Sequence, residues 1–280
     1  MLSKGVGVAR VRTGESVLAR GVRVVEAFGL DDATLTVSEI SRRAGLHVAT
    51  ASRLIEELVN CGWLEREGRR VRIGVRLWEV VSRASPTVSL REAAMPFLED
   101  LHAVSGQDTQ LAVLEGDEVL FVERLTAPGS AVNFSRIAGR LPLHASSSGL
   151  VLLAHASSEL QEQVMQHPMT VYTDRTLRTG QQLRVALAEV RRHGYAFCPG
   201  YIYQDTTGIA VPIRDAGNAV VAAVGLIAPP YGKRILLDPS AAGRRSRHLS
   251  CDVDRTRDGL VTVCTIFLSI IENAIEVNGP

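Results

Sequence analysis

Between residues 36 and 62 the sequence is that of two helices joined by a tight glycine turn, and this feature constrains the fold most strongly. The first helix begins at Thr36-Val37-Ser38-Glu39, a capping box in which the Thr36 hydroxyl and the Glu39 carboxylate each satisfy a backbone N–H group. Gly45 ends this short helix. A short helix, a glycine turn and a longer helix, in that order, predict a helix-turn-helix.

Apolar residues at helical spacing define two longer helices in this region. Gly29 follows the first and Gly62 the second, each where a helix can end. Their apolar faces consist of Leu18, Val22, Val25 and Phe28 in the first helix and of Ala51, Leu54, Ile55 and Leu58 in the second.

A small hairpin is predicted directly after these helices. Residues 63–73 contain two short strand-like runs around a Glu-Gly turn, which predicts a wing whose arginines can contact DNA phosphates or the minor groove. The helical pattern alone would also fit a small bundle with a solvated face, and the arginines favour DNA binding. The candidate DNA-binding residues are Thr36, Ser38, His47, Val48, Thr50, Ser52, Arg53, Arg66, Arg69, Arg70 and Arg72.

The charge of the chain is unevenly distributed. Residues 1–85 contain 14 Lys and Arg against 10 Asp and Glu, a net charge of +4, and the remainder carries −3. A basic first third suits a nucleic-acid-binding module, although scattered surface charge would give the same totals. With 280 residues, 46% of them hydrophobic, we expect about two domains with proper cores.

Several classes of protein are excluded by what the sequence lacks. No apolar run reaches the roughly 20 residues that span a bilayer, and the first residues form no hydrophobic signal region, so we expect a cytoplasmic protein without a membrane partner. The four cysteines form no CxxC pair and the histidines lack metal-ligand spacing. We therefore expect no disulfide scaffold, no metal and no cofactor.

We also expect no enzyme, because the sequence has no dinucleotide fingerprint, P-loop, HExxH or GxSxG motif. His144, followed closely by Ser146, Ser147 and Ser148, is the place to consider nucleophilic chemistry. Nothing beyond adjacency indicates a base or an oxyanion hole, and a capped helix start explains the serines better.

The region around the two helices resembles the IclR-type family of bacterial transcriptional regulators. The resemblance begins with Leu35–Ile40, Ala44–Leu46 and Gly62–Leu64. Where the family has Gly-Leu-Pro-x-Ser-Thr-Val-x-Arg-Leu, this chain has Gly45–Leu54, with His47 for the proline and Ala49 for the serine. These departures imply that the DNA sequence read differs.

The same resemblance continues in register over about residues 12–237. Its further motifs are Ser89–Leu98, Gly139–Ser146, Gly194–Ala196, Gly208–Ile213, Asp215–Gly217 and Val220–Ala223. It implies an α+β protein, usually a homodimer or dimer of dimers. The implied parts are a winged helix-turn-helix domain at 12–75, a linker helix and hinge at 76–88, and a GAF-like α/β effector-binding domain at 89–237.

Residues 86–237 predict the same architecture by their own pattern. Ser89 and Glu92 form a capping box, and Pro96 should bend that helix or move its start later. The pattern is one of helices mixed with antiparallel hairpins, typical of a sensor domain rather than a parallel nucleotide-binding fold. Hairpin strands are predicted at 109–114, 119–125, 209–213 and 219–227, and helices at 146–156 and 181–193.

A helix that begins in a serine run offers unpaired amides and partial positive charge to a small carboxylate. The family places its effector pocket at this helix start, and the resemblance implies a set of pocket residues. These are Ser146, Ser147, Ser148, Gly149, Cys198, Thr206, Gly208, Gly225 and Ile227. The alternative is a pocket position filled only by core side chains.

Two departures from the family affect this pocket. Family members often have an acidic residue where Cys198 stands and serines where Gly225 and Ile227 stand. The pocket of this chain is therefore less polar, and we expect a small carboxylic or aromatic acid that is larger or more apolar than a two- or three-carbon acid such as glyoxylate.

The resemblance ends after Leu237, and we interpret 238–280 as an atypical tail, either diverged or frameshifted. The tail contains Arg244–Arg247, Cys251 and Cys264, followed by an apolar stretch at 266–275. The arginines suit either a second phosphate contact or a solvated tail.

Together these observations predict a ligand-responsive transcriptional regulator, a repressor of a catabolic operon that binds a double-stranded DNA operator. Two alternatives stay open. One is a constitutive DNA-binding protein whose second domain only oligomerises, and the other is an enzyme that uses the α/β domain.

Overall fold

The computed structural model describes residues 15–128, 135–215 and 217–229. The chain divides into two compact units, one ending at Ser85 and the other beginning at Pro86. The predicted tail at 238–280, with its arginines and cysteines, and the start of the first predicted domain at 12–14 lie outside the described residues.

The described part of the first unit contains the predicted helix-turn-helix and wing. Its helices are α1 (Val17–Glu26), α2 (Val37–Arg43), α3 (Val48–Asn60) and α4 (Val75–Ala84). Its strands are β1 (Leu35–Thr36), β2 (Leu64–Glu67) and β3 (Arg70–Ile73), in the antiparallel order β1-β3-β2. The predicted winged helix-turn-helix is confirmed. Strand β1 was not predicted, because two residues are too few to show a periodic pattern.

Capping hydrogen bonds and glycines determine where α2 and α3 begin and end. The Glu39 carboxylate accepts a hydrogen bond from the Thr36 N–H group at 2.7 Å, and the Thr36 hydroxyl accepts one from the Glu39 N–H group at 3.3 Å, so the predicted capping box is confirmed. Gly45 after α2 and Gly62 after α3 have φ values of +61° and +76°, a region that favours glycine. His47 caps α3 by accepting a hydrogen bond at Nδ1 from the Ala49 N–H group.

The core of the first unit lies where α1, α2 and α3 meet the small sheet. Ala51, Leu54 and Ile55 of the predicted stripe are buried, and Leu58 is partly buried. The other large buried side chains are Val24, Leu35, Ile40, Leu64 and Val71.

The described part of the second unit combines helices with one antiparallel sheet. Its helices are α5 (Pro86–Ser105), α6 (Ser147–Ala154), α7 (Ser158–Gln166) and α8 (Gly180–His193). Its strands are β4 (Asp108–Glu115), β5 (Glu118–Leu125), β6 (Arg140–Pro142), β7 (Ala196–Pro199), β8 (Thr207–Arg214) and β9 (Val220–Ala228). The described strands form a six-stranded sheet in the order β6-β5-β4-β9-β8-β7, with every neighbouring pair antiparallel. The predicted α+β class with antiparallel hairpins is confirmed.

Helices cover both faces of this sheet. On one face α5 packs against larger side chains such as Leu111, Ile209 and Val224. On the other face small residues such as Ala112 and Ala210 allow α6 to lie close, and all eight residues of α6 are buried.

The predicted start of α5 at a Ser89 capping box is wrong. The helix begins at Pro86, because proline has a φ value suited to the first helical turn and needs no hydrogen-bond acceptor there. Pro96 lies inside the helix, so it does not move the start later. Among the helices in the described ranges, none is both long and apolar enough to cross a bilayer.

Candidate functional site

The exposed side of α3 carries several of the predicted DNA-binding residues. His47, Val48 and Arg53 are exposed, and Thr50 and Ser52 are partly buried. The Arg53 side chain is 64% exposed, and its nearest acid, Glu57, lies one turn away at 3.9 Å in a weak pair. The guanidinium group is therefore available to a base edge or a phosphate.

Two further predicted DNA-binding residues, Thr36 and Ser38, lie at the start of α2, the helix before α3. Thr36 is engaged in the capping box of α2, which leaves its side chain a structural role. Ser38 is exposed in the first turn of the same helix.

Three of the four predicted wing arginines are held by the protein itself. Arg66 forms an ion pair with Glu56 of α3, and Arg72 pairs with Glu65 across the hairpin at 2.8 Å. Arg70 donates hydrogen bonds to Thr34. In the described part of the chain, Arg69 at the turn makes no ion pair or side-chain hydrogen bond, which leaves it the most available to DNA.

In the second unit, a cavity lies beside the start of α6. Ser146 caps this helix, and its hydroxyl accepts a hydrogen bond from the Gly149 N–H group at 3.1 Å. The N–H groups of Ser147 and Ser148 belong to the first helical turn and have no intrahelical acceptor. The helix start therefore offers amides and partial positive charge to an anion.

Most of the predicted effector residues meet at this cavity. The predicted residues in its lining are Ser146, Ser147, Cys198, Thr206, Gly208 and Ile227. The remaining three, Ser148, Gly149 and Gly225, are neighbours that do not line it. Gly149 is needed for packing, because a Cβ there would overlap the backbone of Leu143.

The cavity also has walls that the sequence did not predict. These are Gln110, Ser135, Leu141, Ala145 and the loop residues Tyr201, Ile202 and Tyr203. The alternation of β4 could have indicated Gln110, since it lies two residues from the core residue Ala112 and shares its face.

The cavity lining is uncharged and mainly apolar. Among its described residues none is acidic or basic, and the cavity has a volume of about 40 Å³. Burial raises the pKa of the Cys198 thiol, and burial together with the nearby Cys198 raises the pKa of the Tyr201 hydroxyl. Both groups therefore keep their protons at neutral pH, and Tyr201 remains a hydrogen-bond donor.

His144 does not form a nucleophile–base pair with the serines that follow it. Its Nε2 atom lies 2.9 Å from the Thr170 carbonyl oxygen, and burial lowers its pKa, so the imidazole is neutral and donates to that carbonyl. In the described residues, no group of three or more His, Cys, Asp or Glu side chains could hold a metal ion.

Two family models together match most of the chain. One, described as the IclR helix-turn-helix domain, matches residues 17–68, and the other, the bacterial transcriptional regulator IclR C-terminal model, matches 83–234. This chain belongs to the IclR family of bacterial transcriptional regulators. The family agrees with the fold, with DNA binding and with the expectation that the protein is not an enzyme.

Individual proteins related to the IclR family each match about three quarters or more of this chain. The crystal structure of an IclR homologue from Microbacterium hydrocarbonoxydans, in complex with 4-hydroxybenzoate, is 42% identical with a TM-score of 0.75, over 89% of this chain and 96% of that one. The HTH-type transcriptional regulator XynR of Escherichia coli is 30% identical over 74% of this chain and 83% of its own. A p-hydroxybenzoate hydroxylase transcriptional activator of Acinetobacter baylyi is 27% identical, over 76% and 82%.

Proposed function

We propose that this IclR-family protein is a cytoplasmic, homodimeric repressor that leaves its operator when an aromatic acid binds beside α6. The observation that carries the proposal is the combination of an exposed polar face on α3 with an uncharged cavity at a helix start. The first supports operator binding, and the second supports control by a small ligand.

In the proposed complex α3 enters the major groove of the operator. Arg53 reads a guanine or holds a phosphate, with His47, Thr50 and Ser52 beside it, and Arg69 contacts phosphate from the wing. A two-fold dimer would place its recognition helices in successive major grooves about 34–36 Å apart.

Exposed apolar side chains in the first unit support the homodimer. In α4 no residue is buried, and Val75, Trp78 and Val81 are exposed, Trp78 by 67%. In α1, Val17 and Leu18 are likewise exposed. Because such side chains favour burial, a second copy of this chain is the proposed occupant.

The proposed effector is an aromatic acid such as 4-hydroxybenzoate. That compound is bound by the Microbacterium hydrocarbonoxydans homologue, and the name of the Acinetobacter baylyi relative refers to the same acid. The uncharged lining, which includes the neutral Cys198 and lies beside Gly225, suits a ring better than glyoxylate.

An aromatic ring requires part of the cavity wall to move. The cavity of about 40 Å³ is smaller than the engineered cavity of about 150 Å³ that admits benzene. The loop between β7 and β8, which carries Tyr201, Ile202 and Tyr203, is the proposed mobile wall. An effector that favours the displaced loop would shift the population of the regulator between two states.

Two measurements test this function. Genomic DNA fragments selected by the purified protein should yield a common two-fold site, and 4-hydroxybenzoate should lower the affinity for that site while calorimetry records its binding. Affinity that no ligand changes would favour a constitutive DNA-binding protein, and tight glyoxylate binding would contradict the aromatic assignment. Transcription in vitro from the selected site separates repression from activation, the role of the Acinetobacter baylyi relative.

Oligomeric state is tested separately by sedimentation. Trp78→Glu should shift the protein from dimer to monomer, whereas Arg83→Glu, an exposed change on the polar side of the same helix, should not. A wild-type monomer would contradict the proposed homodimer.

A further inference from the structure

Gln110 is a buried polar residue of the cavity to which no role has been assigned. It lies on β4, directly opposite Gly225 of β9, and its side chain is on the face of the sheet covered by α6. The residue is 2% exposed and lines the cavity. Its amide is therefore removed from bulk water and lies at the wall of the cavity.

Within the part of the chain that the structure describes, the amide carbonyl of Gln110 has no hydrogen-bond partner, and neither does the hydroxyl oxygen of Ser148. Buried polar atoms are nearly always paired, because leaving one unpaired costs free energy. An unpaired acceptor inside a cavity indicates that something else supplies the donor.

Gly225 is the residue that makes room for this arrangement. A Cβ atom at position 225 would lie 2.9 Å from Gln110 Nε2 and 2.9 Å from Ser148 Oγ. A side chain at 225 would displace the amide from its place beside the start of α6. The glycine and the glutamine therefore act together in shaping the cavity.

We propose that Gln110 determines the specificity of the effector site by accepting a hydrogen bond from a donor on the effector. The inference rests on the proposed function, since it concerns the same pocket. A carboxylate cannot satisfy an amide carbonyl, because both are acceptors. The carboxylate group binds at the N–H groups that begin α6, where the helix start adds partial positive charge, and a hydroxyl or amino group on the ring then donates to the Gln110 carbonyl.

The site consequently selects hydroxy- or amino-substituted aromatic acids against the unsubstituted acid. Benzoate would leave the buried Gln110 carbonyl without a donor, and a hydrogen-bonding site rejects an analogue that lacks the matching group. We expect the substituted acid to bind about tenfold to a hundredfold more tightly than benzoate.

The test is a calorimetric comparison of benzoate with 2-, 3- and 4-hydroxybenzoate. The wild type should bind at least one hydroxybenzoate about tenfold more tightly than benzoate. Gln110→Met preserves an unbranched side chain of similar shape without the acceptor, and it should bring the two affinities to within about threefold. Leu111→Met, a volume-conserving change next to Gln110 on the opposite face of the sheet and outside the cavity lining, should retain the wild-type ratio.

The outcomes distinguish the two proposals. A wild type that binds benzoate and the hydroxybenzoates equally, or a Gln110→Met variant that keeps the wild-type ratio, overturns the role of Gln110 and leaves the aromatic-acid regulator standing. A wild type that binds none of the four acids overturns both. Should Gln110→Met not fold, the wild-type ratio alone still decides, since equal affinities contradict the inference.

Discussion

Arg70 donates one hydrogen bond to the Thr34 hydroxyl at 2.7 Å and another to the Thr34 carbonyl oxygen at 2.8 Å. These bonds fasten the wing strand β3 to the segment that enters α2. Arg69, its neighbour at the hairpin turn, makes no such contact within the described residues. Two adjacent arginines thus have different roles, one structural and one available to DNA.

Arg69→Ala should weaken DNA binding without unfolding the protein. A phosphate contact contributes affinity that depends on salt and not on sequence, so the loss should be similar for operator and unrelated DNA. The slope of log affinity against log salt concentration should fall by about one. Fluorescence anisotropy with both DNAs at several salt concentrations measures this.

Arg70→Ala is the matched comparison for Arg69→Ala. It removes the two hydrogen bonds to Thr34 and should therefore lower the free energy of unfolding of the first unit. The two tryptophans of the chain, Trp63 and Trp78, both lie in that unit, so their fluorescence during urea unfolding reports it selectively. A salt slope unchanged by Arg69→Ala would remove this residue from the DNA contact.

Arg53→Ala should reduce operator affinity by about 10- to 100-fold if the guanidinium group contacts a base. Its pair with Glu57 is exposed and 3.9 Å long, so the fold should be unaffected. Competition with unrelated DNA separates base reading from phosphate binding, because only base reading lowers the specificity ratio. Unchanged operator affinity would count against α3 as the recognition helix.

The first unit was largely predictable because its signals are local. The capping box joins Thr36 to Glu39, three residues apart, and glycines at 45 and 62 supply the positive φ values that end α2 and α3. The strand β1 was not predictable, since its pairing with β3 joins Leu35 to Val71, far along the chain.

Thr36→Ala should lower the free energy of unfolding of the first unit by about 1 kcal/mol, as expected when an N-cap hydroxyl is lost. The change removes the acceptor for the Glu39 N–H group and the hydroxyl that donates to the Glu39 carboxylate. Urea unfolding followed by tryptophan fluorescence measures it. Thr36→Ser retains the cap and should remain close to the wild type, and equal losses in both variants would argue against a capping role.

The effector cavity was only partly predictable, because it is assembled from distant strands. The serines at the start of α6 are visible in the sequence as a run. Gln110 reaches the cavity only because β4 pairs with β9, which sets it opposite Gly225. Tyr201 and Tyr203 lie in a loop, where no periodicity indicates which way a side chain points.

His144 should make the second unit less stable in mild acid. Burial lowers the pKa of this imidazole below its ordinary value of 6.5, despite the hydrogen bond to Thr170 that opposes the shift. The unfolded chain therefore takes up a proton as the pH falls through about 6.5 while the folded protein stays neutral. The stabilisation that the neutral His144 imidazole contributes is complete above that pH. It declines below that pH by at most about 1.4 kcal/mol per pH unit.

His144→Gln keeps a side-chain donor for the Thr170 carbonyl and cannot titrate. Its free energy of unfolding, from urea titrations followed by circular dichroism, should fall less between pH 7.5 and pH 5.5 than that of the wild type. His167→Gln, which replaces an exposed histidine, should keep the wild-type dependence. Identical pH profiles for wild type and His144→Gln would contradict this assignment.

Gly149→Ala should destabilise the second unit, because a Cβ atom at this position would overlap the carbonyl oxygen and Cα atom of Leu143. Helix α6 lies with all its residues buried, so it cannot move away without disturbing the core. Overpacking of this kind costs about 1–3 kcal/mol. Scanning calorimetry should show a lower transition temperature for the second unit, which contains neither tryptophan. The displaced start of α6 should also bind the effector more weakly.

Gly21→Ala provides the control for this change. Gly21 also lies within a helix, α1, but a Cβ there would meet no heavy atom of the described residues within 4 Å. Alanine favours the helix by roughly 0.8–1.0 kcal/mol over glycine, so this variant should stabilise the first unit slightly. The opposite signs expected for the two glycines isolate the packing of α6 on Leu143, and a neutral Gly149→Ala would mean that α6 can shift freely.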